Sequence, residues 1–403
     1  MRVLVIGAGG VGSAFAKIAA HRASFEEVTV ADYDVGRAEK VVQAAGGGFT
    51  AAGLDAADEG AILDLIKASR CDALLNAVDP RFVMPIFRSA LEGGVTYLDM
   101  AMSLSHPDPQ DPYRKTGVML GDEQFALAAT LEERGQLALV GIGVEPGLSD
   151  IFARHAAEHL FATLDEVGVR DGSNLVIDGY DFAPTFSIWT TIEECLNPPV
   201  IWERGRGWYT TEPFSEPEEF EFPGGIGIQT CVNVEHEEVL LVPRWLDVGR
   251  VTFKYGLSED FIAVLKTIRR LGLDRTEKVR VGGVAVSPRD VVAACLPDPA
   301  ELGHRMHGVT CAGTWVKGTG IDGAAREVYL YQLVDNDWSM AEYGTQAVVW
   351  QTALNPVLAL ELLASGTWSG VGLLGPEAFA SAPFLDLVND SGAPWSLEER
   401  TPR

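Results

Sequence analysis

Positive charge is what this chain has least of. Its 403 residues carry 31 Lys and Arg against 57 Asp and Glu, a formal charge of −26. A field of that sign repels nucleic acid and anionic membrane surfaces, so neither is an expected partner. An anionic cofactor would have to be held by local dipoles, against the overall field. Long apolar runs are also missing. No stretch approaches the roughly 20 uncharged apolar residues of a membrane span. The opening MRVLVIGAGG breaks into glycines after a very short apolar run, unlike a secretory signal. A cytoplasmic location is therefore expected. Cysteine is sparse and scattered (Cys71, Cys195, Cys231, Cys295, Cys311), with no C-x-x-C. That pattern argues against a zinc knuckle or a disulfide framework, and no metal is expected.

What is present suits a large globular chain. Apolar residues make up 47% and charged residues 22%, and the length calls for two domains. The first 140 residues alternate strand and helix patterns: VLVI (3–6), EVTVAD (27–32), ALLNAV (73–78), VTYLDM (95–100) and LALVGIGV (137–144), with helical spacing between them. Such alternation predicts βαβ units and a Rossmann-type doubly wound parallel sheet, an α/β fold. Beyond about residue 163 the texture resembles antiparallel strands joined by turns, with helices at 258–271 and 288–296. This predicts an inserted mixed-sheet domain. The apolar helical pattern of 339–365 is expected to return to the first domain, with a possible kink at Pro356. The expected division is 1–148 for the dinucleotide-binding domain, completed by 338–403, and 149–337 for substrate binding and dimerisation.

The sharpest local signal is Gly7-Ala8-Gly9-Gly10-Val11-Gly12 between the first strand and the first helix. Glycines there permit a tight turn, close approach of a pyrophosphate, and close helix–strand packing. The helix N-terminus adds free N–H groups and the positive end of a dipole. Asp32 lies 20 residues past Gly12, at the end of the second strand, where a carboxylate binds ribose hydroxyls. A carboxylate there repels a 2′-phosphate, so NAD is expected ahead of NADP. Arg37 keeps NADP possible.

Ligands of open α/β sheets gather outside the carboxyl ends of the strands. Asn76-Ala77-Val78-Asp79, Asp99 and the turn GVEPGLSD (143–150) occupy such ends, and Glu145 is the carboxylate in that turn. Asp79, Ser149 and Asp150 equally suit helix caps, and Asp99 a scaffold role. His155-x-x-Glu158-His159 matches an inverted zinc-protease motif, but its helix follows a dinucleotide-type sheet, so solvated helix residues are expected. Tyr180, Phe186 and Trp189 sit close to Glu193 and Glu194. Aromatic walls beside carboxylates suit an aminated aliphatic substrate, and they suit a subunit interface equally well. Arg244 and Lys254 could each clamp a substrate carboxylate.

Several of these pieces resemble the saccharopine dehydrogenase family, especially its lysine 6-dehydrogenase-like branch. They are GAGGVG (7–12), LLNAVDP (74–80), GVTYLDM (94–100), GVEPGLSD (143–150), FSIWTTIEECLNPPVIWERGRG (186–207), VEHEEVLLVPRWL (234–246) and LASGTWSGVGLLGPE (363–377). The resemblance spans nearly the whole chain. It implies a Rossmann domain with an inserted substrate domain, NAD(P)-dependent chemistry at a carbon–nitrogen bond of an amino acid, and a homodimer. One departure stands at Arg170-Asp171-Gly172-Ser173-Asn174, where relatives carry a Gly-Gly-Leu-Pro-like turn near the substrate.

The leading expectation is oxidation of an amino-acid amine to an imine by NAD. Glu145 would hold the ammonium or relay its proton, with Glu193, Tyr180 and Asp99 as alternatives and Arg244 anchoring a carboxylate. The rival is reductive condensation of an amine with an aldehyde or keto acid, as in saccharopine reductases and carboxynorspermidine-type enzymes. A third expectation, of another class, is a non-catalytic NAD sensor.

Overall fold

The structure, a computed structural model, describes residues 1–401 apart from Asp181 and the side chain of Ala300. Asp181 of the aromatic segment, and Pro402 and Arg403 of the expected return, thus lie outside the described residues.

The first sheet is wholly parallel. Its seven strands run in the order Gly372–Leu374, Leu137–Leu139, Thr96–Asp99, Ala73–Asn76, Arg2–Ile6, Glu27–Asp32, Phe49–Gly53. Parallel strands need crossover connections, and the helices that make them cover both faces. The central strands are accordingly unbroken apolar runs, with Val3 to Ile6 and Ala73 to Leu75 buried. The winding reverses between Arg2–Ile6 and Ala73–Asn76. The crevice for a ligand opens at the carboxyl ends of those two strands.

The second sheet has nine strands and is mixed, as expected. Its spine is Phe161–Ser173, parallel to Val248–Gly256 on one side and antiparallel to Val309–Gly320 on the other. Residues 212–225, rich in Glu, include the strand Glu218–Phe222, paired with Gly227–Asn233. Phe220 and Phe222 turn inward while Glu219 and Glu221 turn out, the two-residue period of a half-buried strand.

The return expected over 338–403 is divided between the sheets. Gly372–Leu374 extends the first sheet, whereas Trp395–Arg400 pairs with Ala325–Asp335 in the second. The reason is an edge. Without that last strand, Ala325–Asp335 would present an open row of backbone donors and acceptors. Helix Ala347–Ala364 continues unbroken past Pro356 and packs on helix Gly10–Ala19. By length and composition alone it could cross a membrane, with mean hydropathy 1.4, yet 72% of it is buried in the fold. It is mostly apolar because most of it is buried.

Candidate active site

The glycine loop is built to be touched. A Cβ on Gly12 would lie 1.9 Å from the Gly7 carbonyl oxygen, and one on Gly7 would lie 2.4 Å from that of Ala77. Gly7 also has φ +115°, a backbone region that favours glycine. Gly9 instead faces open space. Two glycines therefore pack the loop against its sheet and the third leaves room for a pyrophosphate. Asp32 is pinned by the same loop, its carboxylate accepting from Ala8 N at 2.8 Å and Asp34 N at 2.9 Å. These residues fit a dinucleotide, with Gly7 to Gly12 under the phosphates and Asp32 toward the ribose.

Next to the loop lies a cavity of about 630 Å³. Gly10, Val11, Asn76, Ala77, Val78 and Asp79 line its nucleotide side. A second cavity of about 380 Å³ extends under the strands of the mixed sheet. Both are bordered by Glu145, Glu194, Phe186 and Thr352, so the junction carries two carboxylates.

Glu145 is presented by a closed turn. Gly143 N donates to the Pro146 carbonyl at 2.6 Å, and Leu148 N returns to the Gly143 carbonyl at 3.1 Å. A Cβ on Gly147 would lie 2.0 Å from the Gly143 oxygen, and its φ of +136° also demands glycine. Asp150 accepts from Gly147 N at 2.7 Å and starts the helix Leu148–His155. The Glu145 carboxyl has a buried oxygen, Oε2, with no hydrogen-bond partner. Burial, then the charges of Asp171, Glu238 and Glu194, raise its pKa well above the carboxylate range. Asp171 lies against it and is pushed up to about 7 by burial. Near neutral pH the pair shares a proton rather than carrying two charges.

A polar chain backs the junction. His236 Nδ1 meets Glu238 Oε2 at 2.6 Å, its Nε2 meets the Tyr255 hydroxyl at 3.1 Å, and Tyr255 donates to Glu194 Oε2 at 3.3 Å. Burial alone would lower the His236 pKa. The carboxylates of Glu238, Glu237 and Glu194 win and raise it to about 10, so the ring is an imidazolium. It stacks on Phe253 with centroids 3.7 Å apart. Burial pushes Glu194 up to about 7. His236, Glu237 and Glu238 offer ligand atoms within 4.8 Å of one another, but both His236 nitrogens are already engaged.

Other expected residues are placed elsewhere. Asp99 is buried and holds Gly141 N and the Gln124 amide, each at 2.7 Å. It braces the loops rather than facing the cavities. Glu193 turns away into an ion pair with Arg289 and a 3.0 Å bond from Asn197, and its neighbour Glu194 faces both cavities instead. The helix Ile188–Leu196 explains this, because adjacent residues point about 100° apart. Tyr180 is exposed and borders neither cavity. Phe186 and Trp189 line the larger one. Arg244 sits over the Phe125 ring at 3.6 Å and donates to the Leu240 carbonyl, capping its own helix rather than clamping a ligand. Lys254 is tied to Glu218 and the Glu216 carbonyl. Asp79 caps the turn Pro80–Phe82 and pairs with Arg81. Sequence reasoning gave no role to Asp171, His236, Tyr255 or Gln229. The run Glu235-His236-Glu237-Glu238 between apolar stretches was the available signal, because four consecutive ionisable residues there could not all face solvent.

Two family models cover nearly all of the chain. The saccharopine dehydrogenase NADP binding domain matches residues 3–139, and the saccharopine dehydrogenase C-terminal domain matches residues 143–393. The chain belongs to the saccharopine dehydrogenase family. It is an NAD(P)-dependent oxidoreductase with that family's α/β fold. Carboxynorspermidine synthase of Vibrio alginolyticus is 29% identical over 415 residues, covering 100% of this chain and 98% of that protein. Carboxyaminopropylagmatine dehydrogenase of Synechocystis sp. is 28% identical over 396 residues, covering 98% and 96%. The solved structure of saccharopine dehydrogenase (L-Glu forming) from Saccharomyces cerevisiae superposes with TM-score 0.69 at 14% identity, over 99% of this chain and all of that one. That last likeness shows the fold.

Two predictions follow from this member of the family. Asp32 should make NADH the better cofactor than NADPH by about tenfold in kcat/KM, and Asp32→Ser should narrow that ratio, as initial rates with each cofactor would reveal. Equal use of both by the wild-type protein would count against the role given to Asp32. The second concerns pH. Burial raises Asp99, Asp171, Glu194 and Glu377 to about 7 and Glu235 to about 8. Groups raised on folding bind more protons in the native state, so their contribution is full below the unfolded pKa and fades as pH rises through the folded one. Melting temperature without ligand should therefore be higher near pH 5.5 than near pH 8.5. A rising or flat profile across that window would contradict the protonation states assigned here.

Proposed function

We propose that this enzyme works in the condensing direction: it joins a polyamine-type amine to an aldehyde-bearing amino acid and reduces the resulting C=N bond. The observation that carries this reading is the charge of the cavities. Among the described residues no lysine or arginine lines either one, and the imidazolium of His236 at the larger cavity stands against Asp79, Glu145, Asp171, Glu194, Glu237 and Asp298. Such walls suit a substrate rich in cationic nitrogen. The names of the relatives lend support, since carboxynorspermidine and carboxyaminopropylagmatine are both polyamines bearing a carboxyl-containing unit. The expected lysine-type oxidation gives way on both grounds, and so does the non-catalytic sensor.

The chemistry balances as R–NH3⁺ plus R′–CHO plus NAD(P)H plus H⁺, giving R–NH2⁺–CH2–R′, NAD(P)⁺ and water. The reduced nicotinamide, when bound, supplies the hydride. The chain must do three other things. A neutral amine is needed for attack on the carbonyl carbon, so a carboxylate must take one proton from the ammonium. The departing hydroxyl must gain a proton to leave as water. The cationic iminium must be steadied by nearby negative charge. Glu145 at the cavity junction and Asp171 against it, sharing one proton, provide both an acceptor and a donor for these steps. Tyr255 and His236 hold Glu194 oriented at the same junction. Phe186 and Trp189 give the larger cavity an apolar aromatic wall.

Glu145→Gln should lower kcat by about 100-fold while leaving cofactor binding intact. Its melting temperature should hold or rise, because a buried and incompletely partnered acid is removed. Wild-type turnover in this variant would take Glu145 out of the mechanism. The direction is tested by incubating the enzyme with NADH, a diamine and an amino-acid semialdehyde and weighing the products. A secondary amine of the summed mass less one oxygen is expected, and NADH consumption without that product would sink the reading. The same proposal includes a cytoplasmic, homodimeric enzyme. Sedimentation at twice the chain mass of 43.4 kDa is the expected result, and a 43.4 kDa species would overturn the dimer.

A further inference from the structure

Two guanidiniums lie against the ring of Trp189. Those of Arg81 and Arg289 each have their central carbon 4.6 Å from the ring centroid. The indole N–H donates to Asp290 Oδ1 at 3.2 Å. These partners come from the two sides of the cleft. Arg81 stands in the turn Pro80–Phe82, just past the strand Ala73–Asn76 of the parallel sheet. Trp189 is on helix Ile188–Leu196, and Arg289 and Asp290 open helix Pro288–Cys295. Both helices lie in the chain between strands of the mixed sheet. The two arginines are held differently. The Arg289 side chain is 9% exposed, pairs with Glu193 and donates from Nε to the Asp274 carbonyl at 2.6 Å. Burial, then the charge of Arg81, lowers its pKa to about 10, so each guanidinium feels the other. The Arg81 side chain is 46% exposed. Its Nε and Nη2 fork onto the two Asp79 oxygens at 2.8 Å and 3.0 Å. Arg289 is therefore the fixed partner of Trp189, and Arg81 is the one that can part from it.

The contact fastens two walls of one cavity. Asp79 and Pro80 border the larger cavity on the nucleotide side, and Trp189, Ala293, Leu296 and Pro297 border it from the elements of the mixed sheet. Arg81 borders neither cavity, so it meets Trp189 behind the wall. A dinucleotide that rests on the glycine loop and reaches into this cavity lies between those walls. A planar guanidinium held flat by a carboxylate suits the face of an indole, and an ammonium does not reproduce that fit. Parting the two would also expose apolar ring surface to water.

We propose that Arg81 is a positioning residue for the cofactor: it clasps Trp189 across the cleft and so sets how fast the bound dinucleotide leaves. It acts through Trp189 and does not touch the dinucleotide. The clasp serves either direction of the reaction, so it goes beyond the condensing function proposed above and does not depend on it.

The test is a release rate. NADH bound to the full-length enzyme is chased with excess ADP-ribose, and the loss of its bound-state fluorescence is followed by stopped flow. Arg81→Ala should release NADH about tenfold faster than wild type, and Arg81→Lys nearly as fast, since Lys lacks the planar face and the fork. Trp189→Phe keeps an aromatic face and should stay within about twofold of wild type. Trp189→Leu should match Arg81→Ala, and the double variant should be no faster than either, because both remove the same contact. Release at the wild-type rate from Arg81→Ala of wild-type melting temperature would overturn the proposal. So would an Arg81→Ala effect that persists in full on the Trp189→Leu background, since Arg81 would then act on the dinucleotide directly. No amine or aldehyde enters these measurements, so a failure of the condensing reading leaves their outcome unchanged.

Discussion

One imidazolium holds the interior of this protein together electrostatically. His236 sits among Glu237, Glu238 and Glu194, with Glu235 and Glu145 close behind. Carboxylates gathered out of water repel one another, and each is costly unless it is paired or protonated. The structure uses both remedies. His236 gives its two N–H groups to Glu238 and to the Tyr255 hydroxyl, and the outer acids keep protons because burial raises their pKa. Without the imidazolium, the same carboxyls would need more protons or more water. The turn carrying Glu145, the helix carrying Glu194 and the strand carrying Asp171 all converge on this point, so its charge balance sets the form of the cleft.

The parallel sheet and its cofactor loop were legible because their signals are local. VLVI, the Gly7 to Gly12 loop and Asp32 lie within one βαβ unit, and their spacing carries the geometry by itself. The second sheet was legible as mixed, but its order was not. Phe161–Ser173 pairs in parallel with Val248–Gly256, about 80 residues away, and nothing in either strand names the partner. The division of the C-terminal segment was hidden for the same reason, since the open edge that Trp395–Arg400 covers exists only after folding.

The site shows the same split. Glu145 could be singled out because proline and glycines around it marked a strand-end turn. Glu193 and Glu194 could not be separated by pattern, because the deciding fact is a distant arginine, Arg289, that claims one of them. Arg244 illustrates the opposite error. An arginine among many acids looked free to hold a ligand, yet its Nε is bonded to its own helix and its guanidinium lies over two aromatic rings, away from both cavities. Asp171 sat in the one stretch that departs from the family pattern. Its role appears only in the fold, which sets its carboxyl against that of Glu145.

The chain passes between its two sheets three times: after Leu137–Leu139, after Ala325–Asp335 and after Gly372–Leu374. Lobes joined by a single strap can twist, slide and yaw as well as open. Three straps anchored at separate points remove most of those freedoms and leave rotation about the line nearest all of them. Any breathing of the cleft is then a reproducible swing with little sideways play. A substrate entering such a cleft meets the same two walls in the same alignment on every turnover.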